Sequence, residues 1–157
     1  MAEEEILATV AASPARRWVG ILMLAGIGVL SFYVAFSTPP ELTWQAFLIG
    51  IGGVGLWMAQ RMHAATRSKV ELTETGIRDS TGQVIVPVED IESIDRGILA
   101  FKPSNGFLIR TRTRQPGRWQ PGLWWSMGRR IGIGGVTPGY QTKMMSDVIS
   151  AMLVERD

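Results

Sequence analysis

From Trp18 to Ser37 the chain reads WVGILMLAGIGVLSFYVAFS, without one charged side chain. About 20 apolar residues is what a helix needs to cross the hydrocarbon of a bilayer. A second run, LTWQAFLIGIGGVGLWMAQ (Leu42–Gln60), is similar, with Gln45 near one end and Trp44 and Trp57 near its two ends. Indole rings favour the membrane–water interface, so this placement agrees with a span. The link Thr38–Glu41 is short and holds Pro39 and Pro40, so residues 18–62 are expected to form a transmembrane helical hairpin. A cleaved signal peptide competes for the first run, because Ala35–Ser37 loosely imitates a cleavage site. Against it, the apolar core is too long, the start MAEEE is acidic rather than basic, and a second span follows.

Basic residues flank the pair on one side. Arg16 and Arg17 precede the first span, and Arg61, Arg67 and Lys69 follow the second, whereas the link carries only Glu41. Lysine and arginine collect on the cytoplasmic side of spans. Both termini are therefore expected in the cytoplasm, as a short segment over residues 1–17 and a domain over 68–157. Glycine crowds the second span at Gly50, Gly52, Gly53 and Gly55. Ala46 and Gly50 are four apart, as are Gly55 and Ala59, a spacing that lets helix backbones approach closely. Ala46, Gly50, Gly53, Gly55 and Ala59 are thus expected to form a helix-packing face. It would meet either Ala25, Gly28 and Ala35 of the first span or a partner in the membrane.

With 157 residues the chain has room for one modest domain besides the hairpin. Hydrophobic residues make up 46% and the net charge is only +2, so bulk charge does not mark a nucleic-acid binder. Distribution says more. Between Glu71 and Asp95 there are seven acidic residues and one arginine. RTRTRQPGRWQPGLWWSMGRR, from Arg110 to Arg130, has six arginines, three tryptophans and no acid.

After Ser68 the pattern turns to short alternating segments with frequent turn residues. KVELTE reads as a strand, and TGIRDSTGQVIVP as a strand, a turn at Ser80–Gly82 and a returning strand. VEDIESIDRG suits a short strand or a helical turn. ILAFKP and GFLIRTRT flank a turn at Pro103–Gly106. From Ile109 onward Ile109, Thr111 and Thr113 share one face, and Arg110, Arg112 and Arg114 the other. Pro116, Gly117, Pro121 and Gly122 then predict an ordered loop, and RIGIGG a brief strand. The end reads as a helix with Thr137 at its N-cap and Pro138 at its first position. Met145, Val148, Ile149, Met152 and Leu153 fall on one face, which would close the small β structure.

LTETGIRDSTGQVIVPVEDIESI resembles the start of bacterial pleckstrin-homology-like domains, with their threonine–glycine strand, hairpin and I-P-hydrophobic-x-D-I segment. IGIGGVTPGYQTKMMSDVISAM resembles their last strand and C-terminal helix. The resemblance covers roughly Lys69–Val154, and Arg114–Arg130 departs from it as an insertion. It implies a small antiparallel β domain with a C-terminal helix behind the two spans, in the inner membrane of a bacterium. It implies no catalytic residue.

Chemistry of other kinds finds little support. His63 is the only histidine and cysteine is absent, so histidine triads and zinc sites lack their parts, and His63 reads as an interfacial side chain. GIGGVTPG (Gly132–Gly139) lacks the Lys-Ser/Thr ending of a P-loop and the glycine spacing of a dinucleotide fingerprint, and reads as a turn into the helix. Glu89, Asp90, Glu92 and Asp95 have no calcium-loop spacing and read as a solvated face. No catalytic residue, metal or cofactor is expected.

The arginine and tryptophan stretch is the candidate binding element: Arg110, Arg112, Arg114, Arg118, Trp119, Trp124, Trp125, Arg129 and Arg130. One or two of the tryptophans can instead cap the β structure beneath stacked arginines. Otherwise the stretch meets anionic lipid, where each nearby cation contributes about 1 kcal/mol, or a protein partner, where Trp and Arg are the usual anchors. Base stacking and charge suit nucleic acid as well, but the tether and the small net charge count against it. The expected function is that of a non-enzymatic accessory subunit or assembly factor, packed by its helices and cytoplasmic domain against a larger membrane protein complex. The alternative is a free-standing module that binds anionic lipid or senses the membrane.

Overall fold

The computed structural model describes residues 3–37, 41–97 and 103–157. Thr38–Pro40 of the expected interhelical link, and the body of the strand expected at ILAFKP, lie outside them. The chain opens with β1 (Ala8–Ala11), then runs into two helices, α1 (Pro14–Ser37) and α2 (Leu42–Ala65). β2 (Lys69–Leu72), β3 (Gly76–Asp79) and β4 (Val84–Pro87) follow. A single 3₁₀ turn at Val88–Asp90 leads to β5 (Ile91–Asp95), so the ambiguous VEDIESIDRG stretch is a turn and a strand in succession. The long strands β6 (Phe107–Gln120) and β7 (Trp124–Ile133) and the helix α3 (Gly139–Arg156) complete the chain.

The strands form two antiparallel sheets, ordered β1-β2-β3-β4 and β5-β6-β7. Val10, Val70, Leu72 and Ile77 of the first sheet share one core with Phe107, Ile109, Ile131 and Ile133 of the second. Met145 and Ile149 of α3 are fully buried in that core, with Val148, Met152 and Leu153 partly buried against it, so the predicted stripe does close the β structure. Thr137 is not the N-cap, however. Pro138 occupies that position in extended conformation, and the Thr137 hydroxyl is buried without a hydrogen-bond partner among the described residues.

β1 corrects the expectation that residues 1–17 form a separate leading segment. Ala8 to Ala11 pair with Leu72 to Lys69, and Leu7 donates its N–H to the Leu72 carbonyl at 2.8 Å. The helical hairpin is therefore an insertion between two paired strands of one sheet. A strand of four residues made of Ala, Thr and Val has little local signature; its partner lies beyond both helices.

α1 and α2 are each long and apolar enough to cross a membrane, by length and composition. Pro14 stands in the first turn of α1, where its missing N–H has no helical partner to lose. The helices pack through glycine. A Cβ on Gly28 would lie 3.0 Å from the Gly52 carbonyl oxygen, and one on Gly55 would lie 3.1 Å from that of Leu24. Gly28, Ala35, Gly52, Gly55 and Ala59 are buried, with Ala25 half-buried. Ala46, Gly50 and Gly53 are exposed, and a Cβ on either glycine would meet nothing within 4 Å. The expected face thus splits. Gly55 and Ala59 pack inside the hairpin with Gly52, and Ala46, Gly50 and Gly53 point away, since positions 50 and 53 lie across the helix from 52 and 55. Gln45 donates from Nε2 to the Ala35 carbonyl at 3.1 Å, which satisfies a polar side chain within the apolar pair.

Candidate functional site

Arg110–Arg130 is a β-hairpin rather than the expected loop, with only Pro121–Leu123 outside β6 and β7. Pro121 and Gly122 form the turn between the strands, whereas Pro116 and Gly117 stay within β6, which has irregularities in register between Arg110 and Gln115 and between Gln115 and Arg118. There the hairpin bends like an elbow, helped by Gly128 at φ +61°. The fold-back is so tight that the N–H of Gly134, just past β7, reaches the carbonyl of Leu123, just before it, at 2.8 Å. Asp90 holds the elbow, accepting from the Thr113 N–H at 2.9 Å, the Thr113 hydroxyl at 2.7 Å and Gln115 Nε2 at 2.5 Å.

The bend sorts the candidate residues. Trp124 is 2% exposed and belongs to the core, with the Arg118 guanidinium 5.1 Å from its ring centroid. Arg118 also donates to the carbonyls of Val84 at 3.2 Å and Ile85 at 2.9 Å, closing the edge of the first sheet at β4. Trp125 lies half-buried against Gly132, where a Cβ would stand 2.3 Å from the indole nitrogen. Arg129 donates from Nε to the Thr111 carbonyl at 2.9 Å and pairs with Glu92 at 3.1 Å. These four residues build the domain, and Trp124 beneath Arg118 matches the capping alternative.

Arg110, Arg112, Arg114 and Arg130 remain. All four are exposed and make no hydrogen bond or ion pair among the described residues. Arg110 and Arg130 are direct cross-strand partners on the outer face, behind the buried pair Ile109 and Ile131. Like charges placed opposite each other on a sheet are unfavourable, so this face is complementary to an anion.

Trp119 is separate. It is 43% exposed, and its carbonyl accepts from Arg61 at the end of α2 at 3.5 Å. The roots of the helices carry further aromatic–cation pairs, with Arg17 over Trp18 at 5.6 Å and Arg61 over Trp57 at 5.8 Å. His63 stands 5.8 Å from Trp18 and its Nδ1 is 3.2 Å from Arg17. The signal for this girdle is in the sequence, as basic residues at or near each tryptophan, but the joining of Trp119 to it is not. The glycine-rich Gly132–Gly139 segment works as a turn. Gly134, Gly135 and Val136 direct their N–H groups to the carbonyls of Leu123, Ser104 and Gly122, so none is left to cradle a phosphate. The acidic cluster is dispersed among separate tasks, Asp90 at the elbow, Glu92 on Arg129 and Asp95 on the N–H of Gly97.

No family model, curated protein or solved structure matches this chain.

Proposed function

We propose that the chain is a two-span protein of a bacterial inner membrane, with both termini and a pleckstrin-homology-like domain in the cytoplasm, and that it serves as a non-enzymatic accessory subunit. The four-plus-three strand order with a closing C-terminal helix supports the domain assignment. The orientation is supported by the girdle, because Arg16, Arg17, Arg61, Arg67 and Lys69 all lie at the end of the helices that joins the β domain.

The observation that carries the role is the opposed pair Arg110 and Arg130, without an acidic partner among the described residues, on a domain held by two short links. Only Ala12 and Ser13 separate β1 from α1, and Thr66–Ser68 separate α2 from β2. An arginine face held so rigidly has a fixed direction, which suits docking to an acidic protein surface of a membrane complex. Charge there sets specificity and encounter rate. Along β6, Arg112 and Arg114 lead away from the root of the helices, beyond easy reach of headgroups. Trp119 with Arg61 favours lipid contact at that one corner.

The test is to solubilise membranes in mild detergent and follow the full-length chain by size. Wild-type chain is expected within a large species, and the double variant R110E/R130E outside it. Wild type migrating as a lone small species would overturn the accessory role.

A further inference from the structure

The outer face of the first sheet carries an open groove of about 1570 Å³. Its rim is acidic: Glu3, Glu4, Glu71, Glu74, Glu89 and Glu155 line it, against Arg78 and Arg156. Arg78 is already held by Glu4 at 3.7 Å and Glu71 at 3.4 Å. Arg156 directs its guanidinium to the carbonyls of Val88 and Ile91. Six carboxylates less two guanidiniums leave a formal −4 in the groove. Arg110, Arg112, Arg114 and Arg130 present a formal +4 without partners among the described residues.

The central side chains of the two surfaces turn outward from different sheets. Val70 and Leu72 turn inward from the first sheet while Glu71 turns out, and Ile109 and Ile131 turn inward from the second while Arg110 and Arg130 turn out. Both also sit toward the end of the domain remote from the helices. The groove takes in the Thr73–Gly76 turn and the C-terminal end of α3. The arginine face runs up to the elbow at Thr113 that Asp90 holds. The helices join the opposite end, where Ala11 pairs with Lys69.

We infer that the arginine face of one copy of this chain docks into the acidic groove of a neighbouring copy, an inference that rests on the docking role proposed above and names its partner. A membrane-inserted hairpin gives every copy the same orientation and height, so two separate surfaces at the same end of the domain can meet between neighbouring copies in the plane of the membrane. Confinement and a rigid link raise the effective concentration of one surface at the other, which compensates for weak exposed ion pairs. Such a contact is head-to-tail rather than two-fold, so it extends into a row or closes into a ring.

The chain has no native cysteine, which makes the test clean. Full-length copies carrying E74C and R130C on separately tagged chains are treated with a short bismaleimide in intact membranes. The expected product joins E74C to R130C across copies, and chains bearing both cysteines give a ladder. Adding R110E and R112E with E89K and E155K in the same chain reverses the formal charge of both surfaces, to −1 and +1, and should retain the ladder, whereas R110E and R112E alone should lose it. Absence of the mixed product, or joining of R130C only to R130C, overturns self-docking. If the chain nevertheless leaves its large species on R110E/R130E substitution, the acidic partner is a different protein and the accessory reading stands. If that substitution leaves the large species intact, the accessory reading fails instead.

Discussion

Ala11 and Lys69 stand opposite each other as cross-strand partners, and both apolar helices lie in the chain between them. The β domain is thus anchored on both sides of one strand pair, and it has no flexible stalk. The first prediction follows from this. Deleting residues 3–11 removes β1, uncovers Val70 and Leu72, and should abolish cooperative folding of a domain that lies almost wholly after the helices. Limited proteolysis of the deletion variant in detergent micelles would then cut between residues 69 and 95. A protease-resistant domain in that variant would show that β1 is dispensable.

The tryptophans of the hairpin should separate by role. Trp124→Ala empties a core position and removes the surface on which Arg118 rests, at a cost of about 3–5 kcal/mol. Trp119→Ala should cost about 1 kcal/mol or less, the scale of one cross-strand pair, since Trp119 stands opposite Trp125 and is largely exposed. Thermal unfolding of the two full-length variants in one detergent checks the order. Equal shifts would contradict the burial difference.

Glycines in α2 offer a parallel contrast. Gly52→Leu would drive its side chain into Phe32, whose nearest ring atoms stand 2.9 Å from the Cβ position, and should loosen the hairpin by about 1–3 kcal/mol. Gly50→Leu meets nothing and should leave hairpin packing unchanged. Cysteine cross-linking between α1 and α2 reads this directly. A loss of association with membrane proteins in Gly50→Leu, with the hairpin intact, would mark the open stripe as a contact.

Asp90 should control the elbow. Asp90→Ala leaves the Thr113 N–H and Gln115 amide without their acceptor and should cost about 2–3 kcal/mol. Hydrogen exchange of residues 111–115 should rise more than that of the core strands. Uniform exchange across the domain would show that Asp90 supports the whole fold rather than this bend.

Gly132→Ala places a methyl group against the Trp125 indole and should destabilise the domain by about 1–3 kcal/mol. Gly117 meets nothing within 4 Å and has no positive φ, so Gly117→Ala should be neutral or slightly stabilising. Melting curves of both variants distinguish steric need from mere punctuation.

Much of this architecture was legible in local patterns. Unbroken apolar length announced both helices, turn residues announced β3 and β4, and periodicity announced the buried stripe from Met145 to Leu153. Pro121 and Gly122 do mark a turn, but Pro116 and Gly117 misled, because those residue types mark loops and also mark bulged, sharply bent strands. The hairpin's inner face was misread in part for another reason. Small residues at Gly50 and Gly53 are as permissive as those at Gly52 and Gly55, and only the partner helix selects a side.

By itself, the sequence determined what depends on neighbours in the chain: two apolar helices, a β-rich remainder, a final amphipathic helix, and a concentration of arginine and tryptophan between Arg110 and Arg130. Tertiary structure alone decided that β1 completes the first sheet from the far side of the helices. It also drew Arg118, Trp124 and Arg129 into the fold and left Arg110, Arg112, Arg114 and Arg130 outside. The physical reason is that a charge or an indole is spoken for only when another element supplies its carbonyl, carboxylate or apolar cover, and those elements are remote in sequence.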